Sequence, residues 1–346
     1  MIFLAIQFPQ IDPAALTIPA IAGLGPFHLR WYALAYIAGL VLGWRWMVWL
    51  IRRDRLWAPG KPALSSPQAD DFLFWATLGV ILGGRLGYVL FYKPDMIWKN
   101  PLEMLQIWQG GMSFHGGLIG VALAALWFTR QMHVNDAQFA ALASKHAVAQ
   151  APAGKGGEYV RFGDKWLLKS EADSIRAKTR TEKVDLLRLG DLAAAAAPIG
   201  LFFGRIANFI NGELWGRHTD APWGIVFPEG GYDWAMREWQ FLGFEQARHP
   251  SQLYEAMLEG VALFAIINAL TLRFDSLRRP GLNTGVFLAA YGLFRFLLEF
   301  VREPDIHMPQ ALQGAVTMGM LLSIPMILIG AWLIRRAFLQ PKLAAA

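Results

Sequence analysis

The chain has 346 residues, of which 55% are hydrophobic and only 17% are charged. A water-soluble protein of this length needs a larger charged fraction to cover its surface, so the composition excludes an ordinary soluble domain. The formal net charge of +6 is better explained by basic loops that face an anionic membrane leaflet than by nucleic-acid binding. We therefore expect membrane lipid as a partner and no nucleic acid.

The sequence contains no cysteine. This excludes disulfides, cysteine metal sites and a cysteine nucleophile from the chain. If thiol chemistry takes place here, the thiol belongs to a substrate, and we expect neither a metal nor another cofactor. Residues 1–11 are apolar but lack the basic start of a signal peptide, so they predict an interfacial segment before the first span.

Apolar stretches near the length that crosses a bilayer recur along the chain. About 20 residues span the hydrocarbon core as a helix. The stretches are 30–51, 72–92, 112–130, 190–210, 252–272, 284–302 and 312–334. The pattern predicts an all-α integral membrane protein of about seven transmembrane helices, forming one polytopic domain over residues 1–346.

The distribution of Lys and Arg predicts the orientation of these helices. With the N-terminus outside, the inner segments hold 20 basic residues and the outer segments hold five. Because basic loops stay in the cytoplasm, we predict a periplasmic N-terminus and a cytoplasmic C-terminus in a bacterial inner membrane. The polar segment 131–189 is then a cytoplasmic insertion, in which 159–169 predicts a hairpin. The Trp-, Gly- and Pro-rich segment 211–251 is a small periplasmic head.

The sixth stretch carries charged residues inside an apolar helix. Tyr291, Arg295 and Glu299 recur every four residues, and Arg302 follows three later, so the spacing predicts one helix face. An arginine at bilayer depth costs about 2.5–3.5 kcal/mol on insertion scales and needs a partner. The face either lines a polar cavity or holds an Arg295–Glu299 pair that only neutralises charge.

The fourth stretch ends in a second polar cluster. Arg205 and Asn208 share a helix face, Asn211-Gly212 predicts a turn out of the helix, and Glu213 follows it. An ordinary helix end with a basic residue near its dipole would explain Arg205 alone. The density of polar residues at this membrane exit favours a site instead.

The second and third stretches combine glycines with one basic residue each. Gly79, Gly83 and Gly87 predict a packing face on the second, with Arg85 directed elsewhere, toward an acidic partner. On the third, His115 lies among glycines that let a backbone or a lipid headgroup approach closely. A histidine in such a helix is either structural or catalytic.

The polar clusters of the first, third, fourth and sixth stretches fall in the outer half of the membrane once loop charge has set the orientation. The first stretch contributes Tyr32, while Tyr36 one turn later fits an aromatic belt. Since the orientation did not depend on the motifs, their convergence predicts one outward-facing site for an anionic ligand.

The motifs around these residues resemble those of the bacterial prolipoprotein diacylglyceryl transferases. The resemblance covers nearly the whole chain, and the Asn-Phe-Ile-Asn-Gly-Glu-Leu block is its most specific part. The matching segments are Gly84-Arg85-Leu-Gly-Tyr88, Phe114-His115-Gly-Gly-Leu-Ile-Gly, Gly204-Arg205-Ile-Ala-Asn208-Phe-Ile-Asn211-Gly-Glu213-Leu-Trp-Gly216-Arg217, His249-Pro-Ser-Gln-Leu-Tyr254-Glu255, Tyr291-Gly-Leu-Phe-Arg295-Phe-Leu-Leu-Glu299-Phe and Arg302-Glu-Pro-Asp305. The segment 131–189 is longer than the resemblance leads us to expect.

The resemblance implies a reaction. The family transfers the diacylglyceryl group of phosphatidylglycerol to the lipobox cysteine in the signal peptide of a prolipoprotein and releases glycerol 1-phosphate. This is the first step of lipoprotein maturation. It fits both the absence of cysteine from the chain and the intramembrane arginines, because the substrates supply the thiol and the phosphate.

The resemblance also implies roles for particular residues. Arg205 and Arg295 correspond to essential arginines that hold the phosphate, and His115 corresponds to a histidine proposed as the base toward the thiol. Arg295 near the thiol would also favour the thiolate, so the base stays open. The implied substrate-binding positions are Tyr32, Asn208, Glu213, Gly216, Tyr291 and Glu299. Arg85 and Arg302 receive no role.

Two other functions remain alternatives on the residues alone. A transporter or channel for an anionic solute would carry polar residues in both halves of the bilayer, whereas they concentrate in the outer half. A non-catalytic lipid-binding or assembly protein would hold headgroups with arginines but would not need His115 near Arg295.

Overall fold

The computed structural model describes residues 6–20, 26–58, 62–106, 111–134, 136–150, 157–179, 181–303 and 317–343. Most of the described residues are helical. The α-helices are, in chain order, α1 (Trp31–Ile51), α2 (Ser66–Tyr92), α3 (Met96–Lys99), α4 (Phe114–Arg130), α5 (Asp136–Ala143), α6 (Lys169–Lys178), α7 (Leu186–Ile210), α8 (Ser251–Glu255), α9 (Leu263–Phe274), α10 (Leu282–Leu298) and α11 (Met318–Leu339).

Short strands occupy the segments between the long helices. They are β1 (Ile6–Gln7), β2 (Ala14–Ile18), β3 (Phe27–Arg30), β4 (Met132–Val134), β5 (Tyr159–Phe162), β6 (Lys165–Leu168), β7 (Thr181–Lys183), β8 (Ile225–Val226), β9 (Tyr232–Asp233), β10 (Glu238–Trp239) and β11 (Ala247–Arg248). They pair as β1–β8–β11, β2–β3, β4–β7, β5–β6 and β9–β10.

Five helical segments of the described chain are long and apolar enough to cross a membrane. They are α1, α2, α7, the continuous helix Ser251–Phe274 and α11, while α4 and α10 are shorter apolar helices. A π-helical segment, Ala256–Ala262, joins α8 to α9. The prediction of a mostly helical integral membrane protein is confirmed, and each of the seven predicted stretches overlaps one of these helices.

Several predicted helix boundaries were wrong, among them the start of the second helix and the end of the sixth. The second helix starts at Ser66 because Ser65 and Gln68 form a capping box, with Ser65 Oγ accepting from the Gln68 N–H at 3.3 Å. The sixth ends at Leu298, so Arg302 does not extend the predicted face and lies in the turn beyond it. The backbone of Arg302 there pairs with Gly216.

The chain divides into two compact units, one of residues 1–62 and 190–346 and the other of residues 63–189. In the first unit, α10 and α11 pack together, and strands β1, β8 and β11 belong to a small head. The core of the head consists of Phe8, Ile225, Phe227 and Trp239, with partly buried aromatics around it. Part of the predicted interfacial segment 1–11 belongs to this head, because the Phe8 side chain is buried in it and β1 pairs with β8, while residues 1–5 lie outside the described residues.

The second unit contains α2 and α4, which pack along their glycines. A Cβ atom on Gly79 would lie 2.6 Å from the carbonyl oxygen of Gly120, and one on Gly83 would lie 2.8 Å from the Cα of Gly120. The predicted packing face is therefore confirmed. The predicted hairpin is also confirmed, since β5 and β6 pair antiparallel around Gly163, whose φ is +57°.

The close approach of α2 and α4 gives a test of stability. We expect Gly79→Ala to lower the free energy of unfolding by roughly 1–3 kcal/mol, because the added methyl group meets backbone that cannot move aside. Gly117→Ala is the matched control, since its Cβ would lie 3.7 Å from the nearest atom, the Val80 carbonyl oxygen. Thermal unfolding in detergent measures both, and equal shifts would contradict the packing account.

Candidate active site

Six buried or nearly buried charged residues of the first unit form one cluster of three arginines and three glutamates. Glu255 and Glu259 are fully buried, and Glu299 is 3% exposed. The three arginine side chains are 13–15% exposed. The members are Arg205, Arg295, Arg302, Glu255, Glu259 and Glu299. The formal charges of the cluster therefore cancel. Charged groups that are removed from water need such partners, because an unpaired buried charge is strongly destabilising.

Glu255 is the centre of this cluster. Its carboxylate oxygens lie 2.8 Å from Arg205 Nη1, 3.6 Å from Arg295 Nη1 and 3.1 Å from Arg302 Nη1. The three arginines come from α7, from α10 and from the turn after α10. The Glu255 carboxylate thus joins α7 to the end of α10, which are far apart in the sequence, and both Arg205 and Arg295 face it.

Arg205 has a second carboxylate partner. Its Nε and Nη2 donate to Glu259 Oε2 at 3.2 and 3.1 Å, while Nη1 faces Glu255. Glu255 ends α8 and Glu259 lies in the π-helical segment that follows, and both direct their carboxylates at the same guanidinium. Single π-turns often occur at functional sites. This arrangement fixes the plane and the position of the Arg205 guanidinium.

Arg295 pairs with Glu299 one turn later on α10 and also approaches Glu255. The predicted Arg295–Glu299 pair is therefore present, but it does more than neutralise charge locally because it joins the larger cluster. Gly319 at the start of α11 lies so close to Glu299 that a side chain there would overlap the carboxylate. Tyr291, one turn before Arg295, is buried and stacks on Phe287 with ring centroids 5.8 Å apart.

Asn208 connects the end of α7 to the start of α1. Its Nδ2 donates to the hydroxyl of Tyr32 at 3.0 Å and to Glu213 Oε1 at 2.8 Å. Glu213 follows the turn at Gly212, whose φ is +59°, and its main-chain carbonyl accepts from Gln252 Nε2 at 2.6 Å. The predicted turn is confirmed, and the structure brings Tyr32, Asn208 and Glu213 together.

The Asn208 hydrogen bonds predict a coupling between residues 176 positions apart. We expect Asn208→Ala and Tyr32→Phe each to destabilise the protein by roughly 0.5–1.5 kcal/mol, because each removes the part-buried hydrogen bond between the two side chains. The double variant should lose less than the sum of the two, since both changes remove the same hydrogen bond. Thermal unfolding of the four proteins measures the cycle, and strict additivity would contradict the described contact.

Gly216 and Arg302 join the head to the end of α10. The N–H of Gly216 donates to the carbonyl of His249 at 2.8 Å, and a Cβ at Gly216 would lie 2.8 Å from the Cβ of His249. Arg217 Nε donates to the Arg302 carbonyl at 2.9 Å. Only glycine fits here, so the contacts of Gly216 are packing contacts and its predicted role in substrate binding stays a prediction.

His249 begins a polar chain just before α8. The indole N–H of Trp223 donates to the Tyr254 hydroxyl at 2.7 Å, and that hydroxyl lies 3.3 Å from His249 Nδ1. Since the Tyr254 oxygen accepts from Trp223, its own proton is available to Nδ1. Burial lowers the pKa of His249 below its ordinary value. The histidine is therefore neutral near pH 7.

Arg85 belongs to the second unit, and its described partners differ from the prediction. Its guanidinium donates to the main-chain carbonyls of Glu103 at 2.6 Å, Met104 at 3.0 Å and Gly111 at 3.1 Å. These carbonyl oxygens accept hydrogen bonds from the buried cation, and the acidic partner stays a prediction. Arg85 fastens the segment after α3 to α2. The backbone of His115 lies in α4, and its side chain is outside the described part.

Glu255 and Glu259 are the site residues that were not among the predicted ones. Both lie inside the apolar stretch 252–272, where a carboxylate is as costly as an arginine. The criterion that singles out the arginines, a charged residue inside an apolar stretch of membrane length, also applies to these two glutamates. Within the described residues, no group of three or more His, Asp or Glu side chains is arranged to hold a metal ion.

Long apolar helices around a buried cluster of ion pairs define a multi-pass membrane protein with a charged site among its helices. The family model for prolipoprotein diacylglyceryl transferase matches residues 19–160 and 174–336. The chain belongs to this family.

Several relatives are similar over nearly their whole length. A phosphatidylglycerol–prolipoprotein diacylglyceryl transferase of Phenylobacterium zucineum is 46% identical, with 98% of both chains aligned. Proteins of the same name from Caulobacter sp. and Rhodopseudomonas palustris are 44% and 46% identical, with 96% and 95% of this chain aligned to 95% and 91% of theirs.

Proposed function

We propose that this protein transfers the diacylglyceryl group of phosphatidylglycerol to the cysteine thiol of prolipoproteins. The observation that carries the proposal is the position of Arg205 and Arg295 on the two oxygens of the Glu255 carboxylate. Two guanidinium groups that face one carboxylate are close enough to bind one phosphate. The names of the relatives identify the lipid that carries that phosphate.

The reaction makes a carbon–sulfur bond and breaks a carbon–oxygen bond. The thiolate sulfur attacks the glycerol carbon of the diacylglyceryl group, and the electron pair of the broken bond moves to the phosphate oxygen of the departing glycerol 1-phosphate. The phosphate gains negative charge as it leaves. Arg205 and Arg295 donate charge-assisted hydrogen bonds to it, which stabilise the transition state more than the bound lipid.

The thiol is that of the lipobox cysteine, because the chain has no cysteine of its own. Its proton passes to a base, for which His115 is our candidate. An imidazole with an ordinary pKa near 6.5 suits that role. This assignment rests on the motif that contains His115. We place Tyr32, Asn208, Glu213, Gly216, Tyr291 and Glu299 around the substrates.

The location of the site follows from the proposed topology. We propose seven spans in the bacterial inner membrane, with the N-terminus and the segment 211–251 in the periplasm. The segment 131–189 and the C-terminus then lie in the cytoplasm. Alkaline phosphatase fusions after residue 243, expected active, and after residue 163, expected inactive, test the orientation. The reverse pattern would overturn it.

A lipid-transfer assay tests the proposed reaction. The purified protein is incubated with phosphatidylglycerol vesicles and a lipobox peptide, and the mass of the peptide is measured by mass spectrometry. We expect a mass gain of one diacylglyceryl group, and no gain for a peptide with serine in place of cysteine. If the folded protein leaves the cysteine peptide unchanged, the proposed transferase activity is refuted. Lipid binding or the transport of an anion would then be the remaining candidate functions.

A further inference from the structure

The strands β2 and β3 form an antiparallel ribbon with one apolar face. Leu16 pairs with Leu29 and Ile18 pairs with Phe27 in the register of the two strands. Residues directly opposite each other in an antiparallel pair direct their side chains to the same face. Since the two pairs are two residues apart, all four apolar side chains share one face of the ribbon.

The other face of the ribbon packs on the head. Thr17 and His28 pair between the two apolar pairs and point the opposite way, and Thr17 Oγ1 lies 3.2 Å from His28 Nδ1. The His28 ring lies 4.5 Å from the ring of Trp234, and the Arg30 guanidinium lies 5.1 Å from the same indole. The polar face is thus held against the protein, and the apolar face is turned away from it.

The described residues leave about half of the apolar face uncovered. Leu16 is 54% exposed, Ile18 43%, Phe27 55% and Leu29 40%. Scattered exposed apolar residues are ordinary, but a contiguous group of this kind marks a surface that meets a membrane or another protein.

Chain continuity identifies the partner. Arg30 ends β3, and the next residue, Trp31, begins α1, an apolar helix of 21 residues. The ribbon is therefore joined without a linker to a helix that enters the hydrocarbon, and Trp31 is the residue type that favours the membrane–water interface. The face is within reach of the lipid at the end of α1.

We propose that the face formed by Leu16, Ile18, Phe27 and Leu29 lies in the leaflet at which α1 begins, and that its partner is phospholipid. Among the described residues, β2 and β3 pair only with each other, so the outer edges of both strands carry backbone groups without a described strand partner. Such groups are not tolerated in the hydrocarbon core. The ribbon accordingly lies flat at the boundary between headgroups and acyl chains.

This arrangement connects the leaflet to the site. Tyr32 follows Arg30 by two residues, and its hydroxyl accepts from Asn208. A ribbon fixed in the leaflet holds the start of α1, and with it Tyr32, at a constant depth. The inference stands on the membrane-spanning nature of α1 and does not require the proposed transfer reaction.

The absence of cysteine makes a direct test possible. Single-cysteine variants Leu16→Cys and Leu29→Cys report on the apolar face, and Thr17→Cys reports on the opposite one. Val41→Cys, at an exposed position of α1, is the lipid-facing control, and Glu238→Cys in the head is the water-facing control. Each is labelled with bimane and reconstituted into phosphatidylcholine–phosphatidylglycerol vesicles with and without brominated acyl chains.

We expect the labels at positions 16, 29 and 41 to lose most of their fluorescence in brominated vesicles and to resist aqueous iodide. The labels at 17 and 238 should keep their fluorescence in brominated lipid. Equal quenching at 16 and 17, or strong iodide quenching at both 16 and 29, would overturn the proposal. So would protection of 16 and 29 only after a lipobox peptide is added, because the face would then bind protein. Each variant counts as folded if its thermal unfolding matches that of the wild-type protein. If the Leu16→Cys variant does not fold, the Leu29→Cys variant alone reports on the apolar face.

Discussion

Arg205→Lys is expected to reduce the rate of diacylglyceryl transfer by about 10²–10³-fold, the loss typical of removing one preorganised donor from a developing anion. The three nitrogen atoms of the guanidinium contact Glu255 and Glu259 together. A lysine ammonium is a single point of charge and cannot keep this geometry while it also binds a phosphate. The measurement is the initial rate of mass gain of the lipobox peptide.

The control for Arg205→Lys is Arg237→Lys. Arg237 also pairs with a carboxylate, that of Asp12, but its side chain is 59% exposed and lies in the head. We expect Arg237→Lys to transfer at the wild-type rate. Thermal unfolding verifies that both variants are folded. A folded Arg205→Lys protein with the wild-type rate would remove Arg205 from the proposed chemistry.

Glu255→Gln is expected to have the largest effect on stability. The substitution keeps the size of the side chain but removes the charge that three arginines share. Breaking a buried ion pair costs roughly 3–5 kcal/mol, because the remaining charge stays buried without compensation. Thermal or denaturant unfolding in detergent gives the change in the free energy of unfolding.

Glu303→Gln provides the matched comparison for Glu255→Gln. Glu303 pairs with Arg248 at 3.2 Å, but its side chain is 53% exposed. An exposed pair contributes about 0–1 kcal/mol, so we expect a change within that range. If the two variants were equally stable, the ion pairs of Glu255 would contribute no more to the free energy of unfolding than an exposed pair does.

The helices and the site arginines could be predicted because their signals are local in the sequence. An apolar run of membrane length and a spacing of four residues are both visible without knowledge of the fold. The turn at Gly212 and the hairpin around Gly163 were predictable for the same reason, because both use glycine at positive φ.

The partners of the charged residues could not be predicted from such signals. Arg205 meets Glu255 and Glu259 across some 50 positions of sequence, and Arg302 meets Glu255 across 47. Spacing along one helix identifies only neighbours on that helix, so Arg295–Glu299 was found. Arg85 shows a further limit, since its described acceptors are backbone carbonyls, which every residue possesses.

The burial of Phe8 in the head is a feature that composition does not predict. A short apolar segment before a span has the composition of an interfacial segment, but β1 adds to the head by pairing with β8. That pairing depends on a partner about 220 positions away, whereas the ribbon β2–β3 beside α1 carries the exposed apolar face. Composition alone does not separate a buried edge of a head from a surface that meets lipid.

A structure of the protein with phosphatidylglycerol bound tests the central claim most directly. Our account predicts the lipid phosphate within hydrogen-bond distance of both Arg205 and Arg295, with Glu259 still on Arg205. The diacylglyceryl carbon next to the phosphate should be open to an approaching thiol. A phosphate bound away from these two guanidinium groups, in a protein that retains transfer activity, would contradict the account.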